Sequence, residues 1–191
     1  MIIAGIDEAG RGPLAGPVVC AAVVLPGEHS LQGLNDSKKL SAAQRDRLFD
    51  RIRSQALAFS IVFIGPDEID LHNILHATLL GMARALQQLP VLPDMALIDG
   101  NHVPKDLACP AQAIIKGDGK EACIMAASIL AKVSRDHYMQ ELHRRFPEYG
   151  FDRHKGYPTP AHLQALQRHG ACPEHRRSFA PVRAALARLP A

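Results

Sequence analysis

Four acidic residues stand at positions where this chain could do chemistry. Asp7 and Glu8 are adjacent and follow the apolar run Ile2-Ile3-Ala4. Asp99 closes "MALID", and Asp118 lies in "KGDGK". A carboxylate at the end of a buried strand is costly unless a cation or hydrogen bonds compensate it. Hard divalent cations take oxygen ligands, so a metal is the natural compensation. Four carboxylates converging on one sheet edge would suit phosphoryl chemistry, in which two metals ~3.5–4 Å apart stabilise the attacking and leaving oxygens. Each acid alone has a plainer reading. Asp7-Glu8 could be a solvated turn, Asp99-Gly100 a turn signal, and Asp118 a cap for the helix that follows. Only the joint pattern is informative.

The elements that must position these acids follow from periodicity. Residues 2–7 and 17–25 read as strands joined by a glycine-rich turn, and "PVVCAAVVL" is apolar throughout, as in a strand covered on both faces. "AFSIVFIG", "MALID" and "AQAIIK" read as three more strands. Ser41 can cap a helix reaching about Gln55. A helical turn is expected after Pro66, and a longer helix from Asn73 with Leu75, Leu79, Met82 and Leu86 on one face. Residues 121–145 read as one long helix, apolar almost all round in its first half. "FPEYGFDRHKGYPTP" reads as a loop, Pro160 opens a helix to about His169, and a last helix falls near 180–189. The order β-β-α-β-α-β-β-α-α implies a mixed sheet with helices on its faces. Asp7, Asp99 and Asp118 then fall at or just past strand C-termini, where open α/β sheets bind ligands. One tension remains: adjacent strand residues face opposite ways, so Asp7 and Glu8 share a site only if the strand ends or bends there. Gly10 and Gly12 would permit a bend.

The totals exclude other classes. The chain has 191 residues, 47% hydrophobic and 21% charged, with a net charge of only +3. That suits a globular protein and does not by itself announce nucleic acid. From Arg135 onward, however, Arg and Lys outnumber Asp and Glu two to one, which would suit phosphates. The four cysteines form no C-x-x-C pair, so a zinc site is not expected. The acids at 7 and 8 interrupt the only candidate signal segment, and no apolar run is long enough to span a membrane. A reduced, cytoplasmic protein is the expectation. His72 and His76 have zinc-protease spacing but lack its glutamate, so they read as ordinary helix histidines. Tyr157, one of three tyrosines, sits among Arg153, His154 and Lys155, a setting suited to stacking on a base or sugar.

Together, "GIDEAGRGPLAGPVV", "LNDSKKLS", "NILHAT", "LIDGN", "KGDGK…AASILAKVSRD", "YGFDRHKGYPT" and "RRSFAPV" resemble the bacterial ribonuclease HII family, the type 2 ribonucleases H, from about residue 3 to 185. The arginine between Gly10 and Gly12 favours this family over ribonuclease HIII. The resemblance implies a ribonuclease H-like fold: a five-stranded mixed sheet flanked by helices, with a small C-terminal helical extension. Residues 1–145 would form the catalytic part and 146–191 a basic, substrate-contacting segment packed on it as one unit. Asp7, Glu8, Asp99 and Asp118 match the metal-binding carboxylates, with Mg²⁺ or Mn²⁺ as the expected ions. Gly10, Arg11 and Gly12 match the loop that senses a ribose 2′-OH. Tyr157 matches the tyrosine that reads the junction between a ribonucleotide and the next deoxynucleotide. Asp136 lies in a matching "RD" pair whose role stays open.

The implied activity is hydrolysis of the RNA strand of RNA–DNA hybrids and cleavage 5′ to single ribonucleotides in duplex DNA, leaving 3′-hydroxyl and 5′-phosphate ends. The 2′-OH serves discrimination, since it distinguishes RNA from DNA. Lys38, Lys39, Arg153 and Lys155 are candidate phosphate contacts. The expected partners are these duplexes, with no membrane, a monomeric state and no evident clamp-binding peptide. A DNA-directed nuclease on the same fold and a catalytically silent hybrid binder are the rivals. Clustered carboxylates argue against the binder, because holding phosphates calls for cations.

Overall fold

The computed structural model describes residues 1–188. Five strands form one sheet in the order β3-β2-β1-β4-β5. They are β1 (Ile3–Ala9), β2 (Val18–Val24), β3 (Ala58–Ile64), β4 (Met95–Asp99) and β5 (Ala111–Ile114). β1, β2 and β3 pair antiparallel, whereas β1–β4 and β4–β5 are parallel, so the sheet is mixed. The seven residues of β2 are all buried, as its unbroken apolar run requires.

One face of the sheet is covered by α2 (Pro66–Gln87), with Cys20, Ala22 and Ile98 meeting Ala77, Met82 and Ala85. The other is covered by α1 (Ala42–Gln55) and α3 (Ala122–Arg145), with Val19, Ala21 and Val23 meeting Ile52, Ile129 and Leu130. Ser41 caps α1 through a capping box with Gln44. α2 joins the expected turn and helix across a kink at Asn73, whose φ is 65°. The Asn73 side chain accepts from the His76 amide at 3.0 Å and so restarts the helix. His72 and His76 are exposed on this helix. Gly5 lets α3 lie directly on β1: a Cβ there would stand 2.2 Å from the Cys123 carbonyl carbon.

The segment read as a loop after Phe146 is largely helical. It holds a 3-10 turn at Pro147–Tyr149 and the short α4 (Phe151–His154), each bounded by left-handed backbone at Gly150 or Lys155. Gly and Pro punctuation marks the breaks and hides the single turns between them. α5 (Pro160–His169) and α6 (Ala180–Ala187) follow; the expected end near 189 lies outside the described residues. This segment packs against the turn after β1, where Leu14 and Ala15 join its apolar clusters and Ala15 forms a β-bridge with His175. All four cysteines are free thiols. Among the described residues, no helix is long and apolar enough to cross a membrane.

Candidate metal centre and substrate cleft

β1 runs two residues further than its apolar run suggests, so neither an end nor a bend separates Asp7 from Glu8. In the ladder, Asp7 pairs with Ala21 and Glu8 with Cys20. Cross-strand partners share a face. Ala21 belongs to the α3 side and Cys20 to the α2 side, so the two acids leave opposite faces of β1, yet both line the cleft at the strand's end. Asp7, Asp99 and Asp118 converge, each offering one oxygen within 4.8 Å of the others. Asp99 is the last residue of β4, and Asp118 lies in the 3-10 turn Gly117–Gly119 between β5 and α3. Asp118 does not cap α3, whose N-cap is Glu121 and which has no side-chain cap.

Few donors serve these carboxylates. The Glu8 amide donates to Asp7 Oδ1 at 2.7 Å, and the Asp118 amide to Asp99 Oδ1 at 3.2 Å. Lys38 Nζ lies 3.8 Å from Asp118 Oδ2, and Arg11 Nη1 lies 3.9 Å from Glu8 Oε1. Burial, with Glu8 and Asp99 adding repulsion, holds the Asp7 carboxyl well above its ordinary range. Burial also raises Glu8, despite Arg11, and Asp118 beside Asp99. Glu8 Oε2 is buried without a hydrogen-bond partner. An all-oxygen donor set whose carboxyl pKa values are raised, with one orphaned carboxylate oxygen, fits a hard divalent cation.

A cleft of about 410 Å³ opens over this cluster, lined by Asp7, Glu8, Asp99, residues 10–12, Lys38 and Tyr157. Tyr157 is 40% exposed. A Cβ placed on Gly12 would meet its ring at 3.4 Å, so Gly12 and Tyr157 form a narrow gap. The candidate phosphate contacts scatter. Lys38 lines this cleft, whereas Arg153 lines a separate groove beside α4 and α5. Lys39 is exposed next to Lys38, and the Lys155 ammonium turns back to the Asp152 carbonyl.

Several residues of this cleft escaped the sequence reading. Ser128, Lys132 and Arg135 line it from α3. Their i, i+4, i+7 spacing, beginning in the apolar first half of the helix, was the available signal. Lys132 pairs with Asp136 at 2.8 Å, which gives Asp136 a partner inside the cleft wall. Ser128 Oγ donates to Ser37 Oγ at 2.7 Å and ties α3 to the turn carrying Lys38.

Two fully buried arginines hold the glycine-rich turn. Arg135 donates to the carbonyls of Pro17 (2.9 Å), Ala15 (3.0 Å) and Lys155 (2.8 Å). Arg176 donates to those of Gly16 (3.0 Å), Arg11 (2.9 Å) and Gly10 (2.6 Å). No local pattern could have announced Arg176, which reaches its partners across 160 or more residues.

Beneath Tyr157 lies a histidine chain. The Cys172 amide donates to His175 Nδ1 at 3.0 Å, which fixes that nitrogen as an acceptor. His175 Nε2 then donates to His162 Nε2 at 3.0 Å, and His162 Nδ1 donates to the Tyr157 carbonyl at 2.9 Å. Burial pushes both imidazoles down to about 4, so they are neutral at pH 7.

Known proteins resemble this chain along nearly its whole length. A profile of the family described as Ribonuclease HII matches residues 4–182. A protein of Xanthomonas axonopodis pv. citri named Ribonuclease HII is 61% identical over 186 residues, 97% of this chain and 76% of that one. The structure of ribonuclease H2 from Pyrococcus horikoshii OT3 superposes with a TM-score of 0.85 at 29% identity, covering 98% of each chain. The PCNA:RNase HII complex from Archaeoglobus fulgidus gives a TM-score of 0.75 at 28% identity, covering 94% of this chain and 95% of that one.

Proposed function

This chain belongs to the ribonuclease HII family and is a type 2 ribonuclease H, and on that premise we propose that it is a metal-dependent endonuclease. It cleaves the RNA strand of RNA–DNA hybrids and cuts 5′ to single ribonucleotides in duplex DNA. One observation carries the metal dependence: three carboxylates from separate elements gather their oxygens within 4.8 Å where little in the protein compensates them.

Asp7, Asp99 and Asp118 would hold Mg²⁺ or Mn²⁺, with Glu8 at the margin on the α2 side, its free oxygen available to a second ion. A bound divalent ion supplies charge neutralisation for the phosphoryl centre and a more acidic water as nucleophile. The chain's own residues orient the duplex. Lys38 stands at the mouth of the cleft, where a phosphate would pass the acids. The loop Gly10–Gly12 offers backbone polar groups to the 2′-OH of the nucleotide whose 3′ neighbour stacks on Tyr157. A second 2′-OH beside the ring would be crowded, which favours an RNA-to-DNA step. The 2′-OH is read and does not attack, so the products carry 3′-hydroxyl and 5′-phosphate ends. Residues 146–191 act as the substrate-contacting part of one unit with residues 1–145, and the work is ribonucleotide removal in the cytoplasm. The Archaeoglobus relative was solved bound to PCNA; for this chain the reading is a monomer.

The test is direct. The protein with Mg²⁺ or Mn²⁺ is incubated with end-labelled duplexes carrying no, one or several ribonucleotides. Cleavage on the 5′ side of the lone ribonucleotide is expected, with none of the all-DNA duplex. Cleavage of the all-DNA duplex would favour the DNA-directed nuclease, and binding without cleavage the silent binder. Tyr157→Ala should lose more kcat/KM on the single ribonucleotide than on a long hybrid. Equal losses would assign Tyr157 to general binding.

A further inference from the structure

A buried guanidinium normally has a carboxylate partner, because an unpaired charge out of water is expensive. Arg135 and Arg176 are 1% and 0% exposed, and among the described residues neither has an acid within ion-pair distance. What they have are the six backbone carbonyls named above. These lie in only two segments, the turn 10–17 and the residue before Gly156-Tyr157. Drawing the carbonyls of Gly10 and Arg11 inward fixes the peptide planes of that turn. The amides of Arg11 and Gly12 donate to no protein acceptor among the described residues. Arg135 also spans the gap: it grips Ala15 and Pro17 on one side and Lys155 on the other, with its guanidinium 6.0 Å from the Tyr157 ring centroid. Gly10 is part of the same construction. Its φ is +93°, and a Cβ there would stand 1.9 Å from Arg135 Nε.

We propose that Arg135 and Arg176 are positioning residues that preset the Gly10–Gly12 loop and Tyr157 as one rigid reader of the ribose 2′-OH. Both act from behind the reading surface: even Arg135, which borders the cleft, is 1% exposed and gives its guanidinium to backbone carbonyls. They act by turning carbonyls into the protein, which leaves amides toward the cleft. Two guanidiniums suit the task because each presents a planar fork to several oxygens at once, whereas an ammonium offers one point charge. Their fixed positive charge behind the turn also favours an electron-rich oxygen in front of it. The inference rests on the reading that this loop senses the 2′-OH.

The test measures discrimination. Wild type, Arg176→Lys and Arg135→Lys are titrated in EDTA, where no cleavage occurs, against two fluorescent duplexes. One is all DNA and the other carries a single ribonucleotide. The wild type should prefer the ribonucleotide duplex about tenfold or more, the worth of one well-made polar contact. Arg176→Lys should lose most of that preference while its affinity for all-DNA duplex stays within twofold. A folded variant that keeps the wild-type ratio overturns the proposal. So does an equal loss on both duplexes, which would mark a general structural role. If Arg176→Lys does not fold, Arg135→Lys carries the same test. If neither folds, the arginines are fold determinants and the positioning role is refused. No preference in the wild type would instead refute the 2′-OH reading itself.

Discussion

At the strand ends, Asp7, Asp99 and Asp118 crowd their oxygens together, and two backbone amides with one distant lysine are their main support. Across the same cleft, Arg135 and Arg176 are more deeply buried, yet six carbonyls receive their hydrogen bonds. The acidic wall leaves its charge for something outside the chain to neutralise. The glycine-rich wall settles its charge internally. The former is suited to recruiting an ion and the latter to holding a shape, and removing a group should do opposite things on the two sides.

The largest effect should come from the acidic wall. Asp7→Asn or Asp99→Asn is expected to lower cleavage by at least ~10³-fold, roughly 4 kcal/mol of transition-state stabilisation. The metal-free melting temperature should hold or rise, because mutual repulsion is relieved. Retention of more than a tenth of wild-type activity at saturating Mg²⁺ would remove these acids from the centre.

On the opposite wall, two glycines separate shape from approach. Gly10→Ala drives a methyl into Arg135 at a positive φ, so the melting temperature should fall by several degrees along with activity. Gly12→Ala meets only the Tyr157 ring at contact distance. It should melt within about a degree of wild type while kcat/KM falls about tenfold or more, or ~1.4 kcal/mol, as the methyl fills the gap a ribose must enter. Matching losses of stability in the two variants would erase that distinction.

The walls should also titrate in opposite senses. A carboxyl whose folded pKa is raised binds its proton more readily folded than unfolded, so metal-free stability is gained as pH falls through that pKa. His162 and His175, lowered to about 4 by burial, take up protons more readily when unfolded. Their contribution is complete above pH ~6.5 and is lost between pH ~6.5 and 4. In EDTA, Asp7→Asn should therefore lose stability on acidification more steeply than wild type, by about 3 °C or more over that interval. An equal or flatter profile in the variant would contradict it.

The smallest effect concerns phosphates. Lys38→Ala should flatten the slope of log K against log[salt] by just under ~1 unit, and Arg153→Ala should leave it unchanged. The reverse result would move the duplex path toward α4 and α5.

Strand ends, glycine-rich turns and helix caps are local, and this is why the five strands, Ser41, the kink region near Asn73 and the convergence of Asp7, Asp99 and Asp118 were legible in the sequence. Glu8 shows where reading stops. An apolar run tells where a strand starts to be buried, not where its ladder ends, and the end or bend expected between Asp7 and Glu8 is absent: the two acids reach the cleft from opposite faces of a continuing strand. Arg176 was illegible for another reason. Its partners are the carbonyls of Gly10, Arg11 and Gly16, and a backbone carbonyl looks the same in every sequence. The single turns at 147–149 and 151–154 were lost because Pro and Gly mark breaks more loudly than one helical turn marks itself.

Gly5 lies two residues before Asp7 and touches the chain five residues after Asp118. The bare backbone contact there acts as a spacer of zero thickness between two of the three acids. Each carbon added at position 5 would lift the start of α3 off β1 and carry Asp118 with it. The bite of the carboxylate cluster, and with it the ionic radius it would accept, is therefore written partly in an atom the chain omits. A graded series of side chains at this position is a ruler for how much widening the centre tolerates.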